Sequence, residues 1–179
     1  MRVKPGLWLI YSSLVLTLAS CNFPTTKPAS ASKVLAEFTE SYVKVSIVLE
    51  LGETGYAVLL ATFTPTETDA HLYSMELPKE GIDGLGRPTL IELPDGARVQ
   101  VAGELQESLP AEEDEVASDL PALPVYPAGP VTLRLPVQLP KGQGELVDDQ
   151  VLITYMACTP RGCHKPVFEK LVDVQVPAK

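Results

Sequence analysis

No window of about ten residues in this chain repeats its apolar positions with a helical period. What repeats is alternation. "YVKVSIVLEL" (42–51) sets Val43, Val45, Ile47 and Leu49 against Lys44, Ser46 and Glu50, the pattern of a strand with one face buried. "GETG" (52–55) turns the chain into "YAVLLATF" (56–63), a more continuously apolar strand. Further strands are expected at 70–77, 87–93, 97–103, 129–139, 149–157 and 165–176. The 17 Pro and 12 Gly fall largely between these stretches as turn punctuation.

Short strands at roughly 8–12-residue spacing point to an all-β fold, an immunoglobulin-like β-sandwich, with a cysteine-bearing hairpin near the C-terminus. "GIDGLG" (81–86) has the glycines of a nucleotide loop but neither the βαβ unit nor the helix such a loop needs, so it reads as a turn. Residues 104–128 break the pattern, with seven acids, no base and four prolines. They read as a solvated surface loop, or as a mobile loop near the active end of the sandwich.

The N-terminus reads as processing signal rather than fold. Arg2 and Lys4 precede an apolar run at 7–19, too short to span a bilayer comfortably. Leu18-Ala19-Ser20-Cys21 follows and resembles a bacterial lipoprotein signal, which implies cleavage before Cys21 and lipidation of that cysteine. Three parts are therefore expected: a signal peptide at 1–20, a Pro/Ser/Thr/Ala-rich flexible tether at 21–34, and the domain at 35–179. The expected place is the extracytoplasmic face of the cell envelope, anchored to membrane by lipid. The formal charge is −9, and losing Arg2 and Lys4 leaves 12 basic against 23 acidic side chains, near −11. Such a chain lacks the clustered Lys and Arg that nucleic acid requires. No Ser/His/Asp spacing or paired carboxylates point to hydrolysis, and no cofactor is expected.

Lipidation of Cys21 leaves Cys158 and Cys163 in "TYMACTPRGCHKPV" (154–167), and an oxidising compartment favours pairing them. Thr159-Pro160-Arg161-Gly162 suits a type I turn, which would oppose the two cysteines across antiparallel strands. Three readings stand. As a staple the bond is poorly placed, because closing a six-residue loop contributes only about 2 kcal/mol against about 4.7 for a hundred-residue loop. As a metal clip, Cys158, Cys163, His164 and Met156 offer soft ligands for copper(I), but zinc sites want four ligands at tighter spacing, and His71 is far away in sequence. As a redox pair, Arg161, His164 and Lys165 supply positive charge that favours thiolate, and Gly162 leaves room for an approaching sulfur. In that reading Cys163 faces the partner and Cys158 resolves. An unbroken register from 158–163 would pair Met156 with Lys165, Thr154 with Val167 and Leu152 with Glu169.

"VLITYMACTPRGCHKPV" resembles the cysteine hairpin of the N-terminal periplasmic domain of the thiol:disulfide interchange protein family of DsbD. That family's pattern falls on Thr154, Tyr155, Cys158, Cys163 and Pro166. Residues 69–93 are similar to its His-x-Tyr-Ser strand and Pro-Thr-x-x-Glu strand, at His71, Tyr73, Ser74, Pro88, Thr89 and Glu92. The likeness runs over about 35–176. It implies an immunoglobulin-like fold and a reversible Cys158–Cys163 disulfide, with Tyr155, Arg161, His164 and Lys165 as supporting residues. It also implies a relay from a membrane thiol reductase to extracytoplasmic thioredoxin-like or other thiol clients. The sequence carries neither the family's transmembrane electron carrier nor its thioredoxin-like domain, so a separate membrane reductase is expected. The cysteine spacing is one residue shorter than in the best-known members. The family's cap over the disulfide would fall near Asp119–Tyr126, with Asp119, Leu120, Leu123 and Tyr126 the positions in question. The alternatives are a non-enzymatic envelope lipoprotein with a structural hairpin disulfide, and a copper-binding module.

Overall fold

The structure is a computed structural model and describes residues 31–52, 56–114 and 122–179. Cys21, the signal and most of the tether lie outside them. Its strands, in chain order, are β1 (Ser32–Glu40), β2 (Val43–Leu51), β3 (Tyr56–Pro65), β4 (His71–Leu72), β5 (Leu90–Glu92), β6 (Gln100–Val101), β7 (Gln106–Glu107), β8 (Glu112–Asp114), β9 (Leu123–Val125), β10 (Val131–Gln138), β11 (Leu146–Tyr155), β12 (Ala157–Thr159), β13 (Gly162–Cys163) and β14 (Val167–Pro177). Among the described residues no helix is long and apolar enough to cross a membrane.

Two sheets form the sandwich. One runs β1-β2-β3-β10, with β6 and β7 both on the far side of β10; the other runs β14-β11-β5. All pairings in both are antiparallel. The alternation in the sequence becomes the core. Val43, Val45, Ile47 and Leu49 of β2 are fully buried, as are Ala61 and Phe63 of β3 and Val131, Leu133 and Val137 of β10. They pack in one cluster with Ile91, Val151, Ile153, Tyr155, Val174 and Val176 from the second sheet. Two inward faces filling one another make a sandwich core. Phe63 meets Tyr155 edge-on across it, ring centroids 5.7 Å apart. The all-β, immunoglobulin-like class with a C-terminal cysteine hairpin is therefore the fold observed.

Four local expectations are corrected. Strand β1 begins at Ser32, inside the stretch assigned to the tether, and its register shifts between Val34 and Ala36. That bulge breaks the alternation a strand is recognised by. The strand expected at 70–77 ends at Leu72, because Ser74 folds the chain back: its Oγ accepts from Glu76 N at 3.1 Å and its carbonyl from Leu77 N at 3.2 Å. Residues 104–128 are not simply loop, since β7, β8 and β9 lie there and Leu123, Val125 and Tyr126 are buried.

The fourth correction bears on the cysteines. Cys158 does oppose Cys163, but Tyr155 opposes Val167 and Ile153 opposes Lys170, so the unbroken register fails. A bulge between Ile153 and Tyr155 accounts for one step of the difference. Glu169 adopts φ 46°, and its N–H donates to the Thr154 hydroxyl at 3.0 Å. Thr154 is itself fully buried. Replacing Thr154 by Val strands the Glu169 N–H without its acceptor, a loss worth about 1–2 kcal/mol. Urea unfolding of the variant should show a lower midpoint with an unchanged slope.

Candidate functional site

The cysteines sit in a third, smaller sheet ordered β13-β12-β4. Pro160 and Arg161 form the two-residue turn; neither has positive φ, while Gly162 after them has φ 140°. That combination is a type I turn followed by a residue that only glycine adopts readily. The Thr159 hydroxyl completes the turn, accepting from Arg161 N and donating to Gly162 O, both at 3.2 Å. A Cβ built at Gly162 would meet nothing within 4 Å, so the space beside Gly162 is open.

Cys158 and Cys163 are bonded, with Cα atoms 3.9 Å apart, closer than the usual spacing of opposed strand residues. Their environments differ. Cys158 lies on the central strand, paired with Cys163 on one side and His71 on the other, and is 2% exposed. Cys163 lies on the edge strand and is exposed.

Tyr73 lies against both sulfurs. Its hydroxyl is 3.2 Å from Cys158 Sγ and 3.8 Å from Cys163 Sγ, and since a disulfide has no proton, the phenol donates. The ring is placed with care. The Tyr73 carbonyl accepts from Thr89 N at 3.2 Å and Thr89 Oγ1 at 2.7 Å. Its backbone bridges Pro88 and Val125. Its ring meets His71 edge-on at 5.6 Å. Gly86 passes so close that a Cβ there would fall 3.2 Å from the Tyr73 ring and 2.8 Å from Leu77, and its φ of 74° also favours glycine. Tyr73, Leu77, Leu123, Val125 and Cys158 form a small apolar cluster of their own, with Ile82 and Met156 at its margin.

The other residues singled out in the sequence are distributed as follows. Leu123 belongs to the cluster around Cys158. Tyr126 faces the main core, donating to Glu107 at 2.7 Å and accepting from Met75 N at 3.0 Å; burial raises its phenol pKa. Asp119 and Leu120 lie outside the described residues. Tyr155 is core too, its hydroxyl on the Glu40 carbonyl at 2.9 Å, and burial raises its pKa likewise. Arg161 is exposed and shares a shallow recess with Glu67 and Asp69; Lys165 is exposed.

His164 Nε2 is 2.5 Å from a Glu67 carboxylate oxygen. Its ring stacks on Tyr42, centroids 4.2 Å apart and planes 23° from parallel. Among the described residues no group of three or more His, Cys, Asp or Glu side chains could hold a metal ion. Sequence reasoning missed Tyr73, Glu67 and Tyr42 as members of the site. Tyr73 had a signal, the His-x-Tyr-Ser stretch ahead of the Pro-Thr strand. Glu67 is 97 residues from His164 and had none.

In the reduced protein the Tyr73 hydroxyl would donate to whichever sulfur is ionised, a charge-assisted bond that favours thiolate. Tyr73→Phe should therefore lower the thiolate fraction near neutral pH by about tenfold, the effect of roughly one pKa unit. Following thiolate absorbance against pH in the reduced variant checks this.

No family model matches the chain, and no curated protein matches it. Among solved structures it is similar to the crystal structure of the Neisseria meningitidis DsbD N-terminal domain in the reduced form. The TM-score is 0.44 at 14% sequence identity, over 82% of this chain and 90% of that one.

Proposed function

We propose that this domain is a thiol–disulfide exchange module, a protein-disulfide reductase relay component working through a reversible Cys158–Cys163 bond. The observation that carries the reading is the asymmetry of the pair. One sulfur is exposed on an edge strand, and the other is buried behind it under a tyrosine hydroxyl. A structural staple needs no such asymmetry, and closing so short a loop stabilises by only about 2 kcal/mol.

The chemistry assigns Cys163 to attack and Cys158 to resolution. In the dithiol form, the Cys163 thiolate attacks one sulfur of a client disulfide. The client S–S bond breaks and its other sulfur leaves as thiolate. The Cys158 thiolate then attacks Cys163 Sγ in the mixed disulfide, Cys158–Cys163 forms, and the client departs with its second thiolate. Two electrons pass to the client, and the two protons given up by the module's thiols balance the two taken up by the client's. A membrane thiol reductase resets the dithiol by the reverse exchange.

The Leu-Ala-Ser-Cys21 stretch supports the rest of the proposal. The mature protein would begin at lipidated Cys21, stand off the membrane on its tether, and serve extracytoplasmic thioredoxin-like or other thiol clients within the cell envelope. Asp119, Leu120 and Leu123 remain positions for a cap over the sulfurs, and Leu123 already packs in the cluster with Cys158. Arg161 and Lys165, both exposed beside the hairpin, supply the cationic side chains of the supporting set.

Trapping tests the roles directly. Cys158→Ser leaves the attacking thiol without its resolver, so it should accumulate mixed disulfides with envelope proteins that thiol reductant releases. Cys163→Ser should accumulate few. Equal and negligible adducts from both variants would overturn the proposal.

A further inference from the structure

We infer that Glu67 and His164, with Tyr42 stacked behind them, form a latch that positions Cys163 and sets how readily the hairpin disulfide re-forms. This rests on the exchange reading above. Strand β13 is two residues long and is the edge of its sheet, so Cys163 is the most easily frayed part of the site. It is held on one side by the Pro160–Arg161 turn. On the other side, His164 N donates to Ala157 O at 2.9 Å, and the imidazole is tied to Glu67 at 2.5 Å. Glu67 belongs to the connection from β3 into β4, and β4 pairs with Cys158 through His71. The same short connection thus grips the chain on both sides of the disulfide.

Tyr42 supplies the second observation. Ser41 and Tyr42 both have positive φ, 45° and 61°, in the turn between β1 and β2. Gly or Asn would fill these positions at less cost. Strain of this kind persists where a side chain's position matters. Here it lays the phenol flat on His164, and the Tyr42 carbonyl accepts from both Thr66 N at 2.9 Å and Thr66 Oγ1 at 3.0 Å, next to Glu67. Glu67 and His164 side chains are about a third or less exposed, 32% and 24%. The other charged groups at this place are Asp69 and Arg161, which line the recess with Glu67, and Lys165, which follows His164.

Consecutive side chains of a strand point to opposite faces, so His164 acts on Cys163 through the backbone and is a positioning residue. Holding Cys163 still after reduction keeps the two sulfurs at high effective concentration, which favours closing the bond. Releasing the latch should therefore make the disulfide easier to reduce.

The test is the equilibrium of the full-length protein with reduced and oxidised glutathione. The exchange consumes two glutathione thiols and yields the protein dithiol and one glutathione disulfide. Glu67→Gln and His164→Ala should each lower the disulfide-formation constant by about three- to tenfold, tenfold being about 30 mV. The double variant should fall no further than the larger single one, because one interaction is being removed twice. Tyr42→Gly, which relieves the backbone while removing the ring, should also lower it. Folded single variants with the wild-type constant would overturn the latch. Should the variants fail to fold, the wild-type protein decides. Coupling is reciprocal, so reducing the disulfide must move the NMR titration midpoint of His164, and an identical midpoint in both redox states overturns the proposal. A wild-type disulfide that glutathione cannot open would count against exchange itself, while the His164 titration after phosphine reduction would still decide the latch.

Discussion

Tyr155 is where the halves of the molecule converge. Its ring meets Phe63 across the sandwich, its hydroxyl reaches the Glu40 carbonyl at the end of β1, and its backbone pairs with Val167 of β14. One residue later, at Met156, the second sheet ends and the cysteine hairpin begins. A fully buried aromatic of this size contributes about 1.5–3 kcal/mol by area alone. Its larger consequence is geometric. Anchored at three points, it fixes where β12 leaves the sandwich, and so where Cys158 meets His71 on β4 and Tyr73 beyond it. The bulge at Thr154 and Glu169 lies immediately before this anchor, and a further one-residue step of register separates Tyr155–Val167 from Cys158–Cys163.

The hairpin then divides labour between its strands. A central strand has neighbours on both sides and buries its residues; an edge strand leaves one side open. Placing Cys158 on the first and Cys163 on the second gives a bond with one protected and one reachable sulfur. Surrounding contacts reinforce the division. Thr89, Pro88, Val125 and Gly86 all serve to fix Tyr73, which touches the protected side. Glu67, His164 and Tyr42 gather at the reachable side. Strand β4 links the two groups, with Glu67 just before it and Tyr73 just after it.

Much of this was legible in the sequence where a rule of local geometry applied. Alternation at Val43–Leu49 marked a half-buried strand, and the turn residues Thr159–Gly162 opposed the cysteines across a hairpin. The rule failed where the backbone departs from period two. The shift at Val34–Ala36 concealed β1, and left-handed Glu169 moved the pairing of Ile153 one step beyond that of Tyr155. Proline- and acid-rich composition hid β8 and β9, where Glu112–Asp114 pairs with Leu123–Val125. The site divides in the same way. The cysteines announced themselves by type and spacing. Tyr73 lay in a recognisable stretch but without a stated role. The Glu67–His164 pair and its Tyr42 backing are purely tertiary, joining three turns that no local pattern connects.

The central claim is that the Cys158–Cys163 bond is built to open and close. Its standard reduction potential measures that most directly. Catalytic dithiols lie above roughly −300 mV, while structural disulfides of secreted proteins lie below that value. The account predicts a potential above roughly −300 mV for the wild-type protein. A value well below it would mark the bond as a staple and contradict the account.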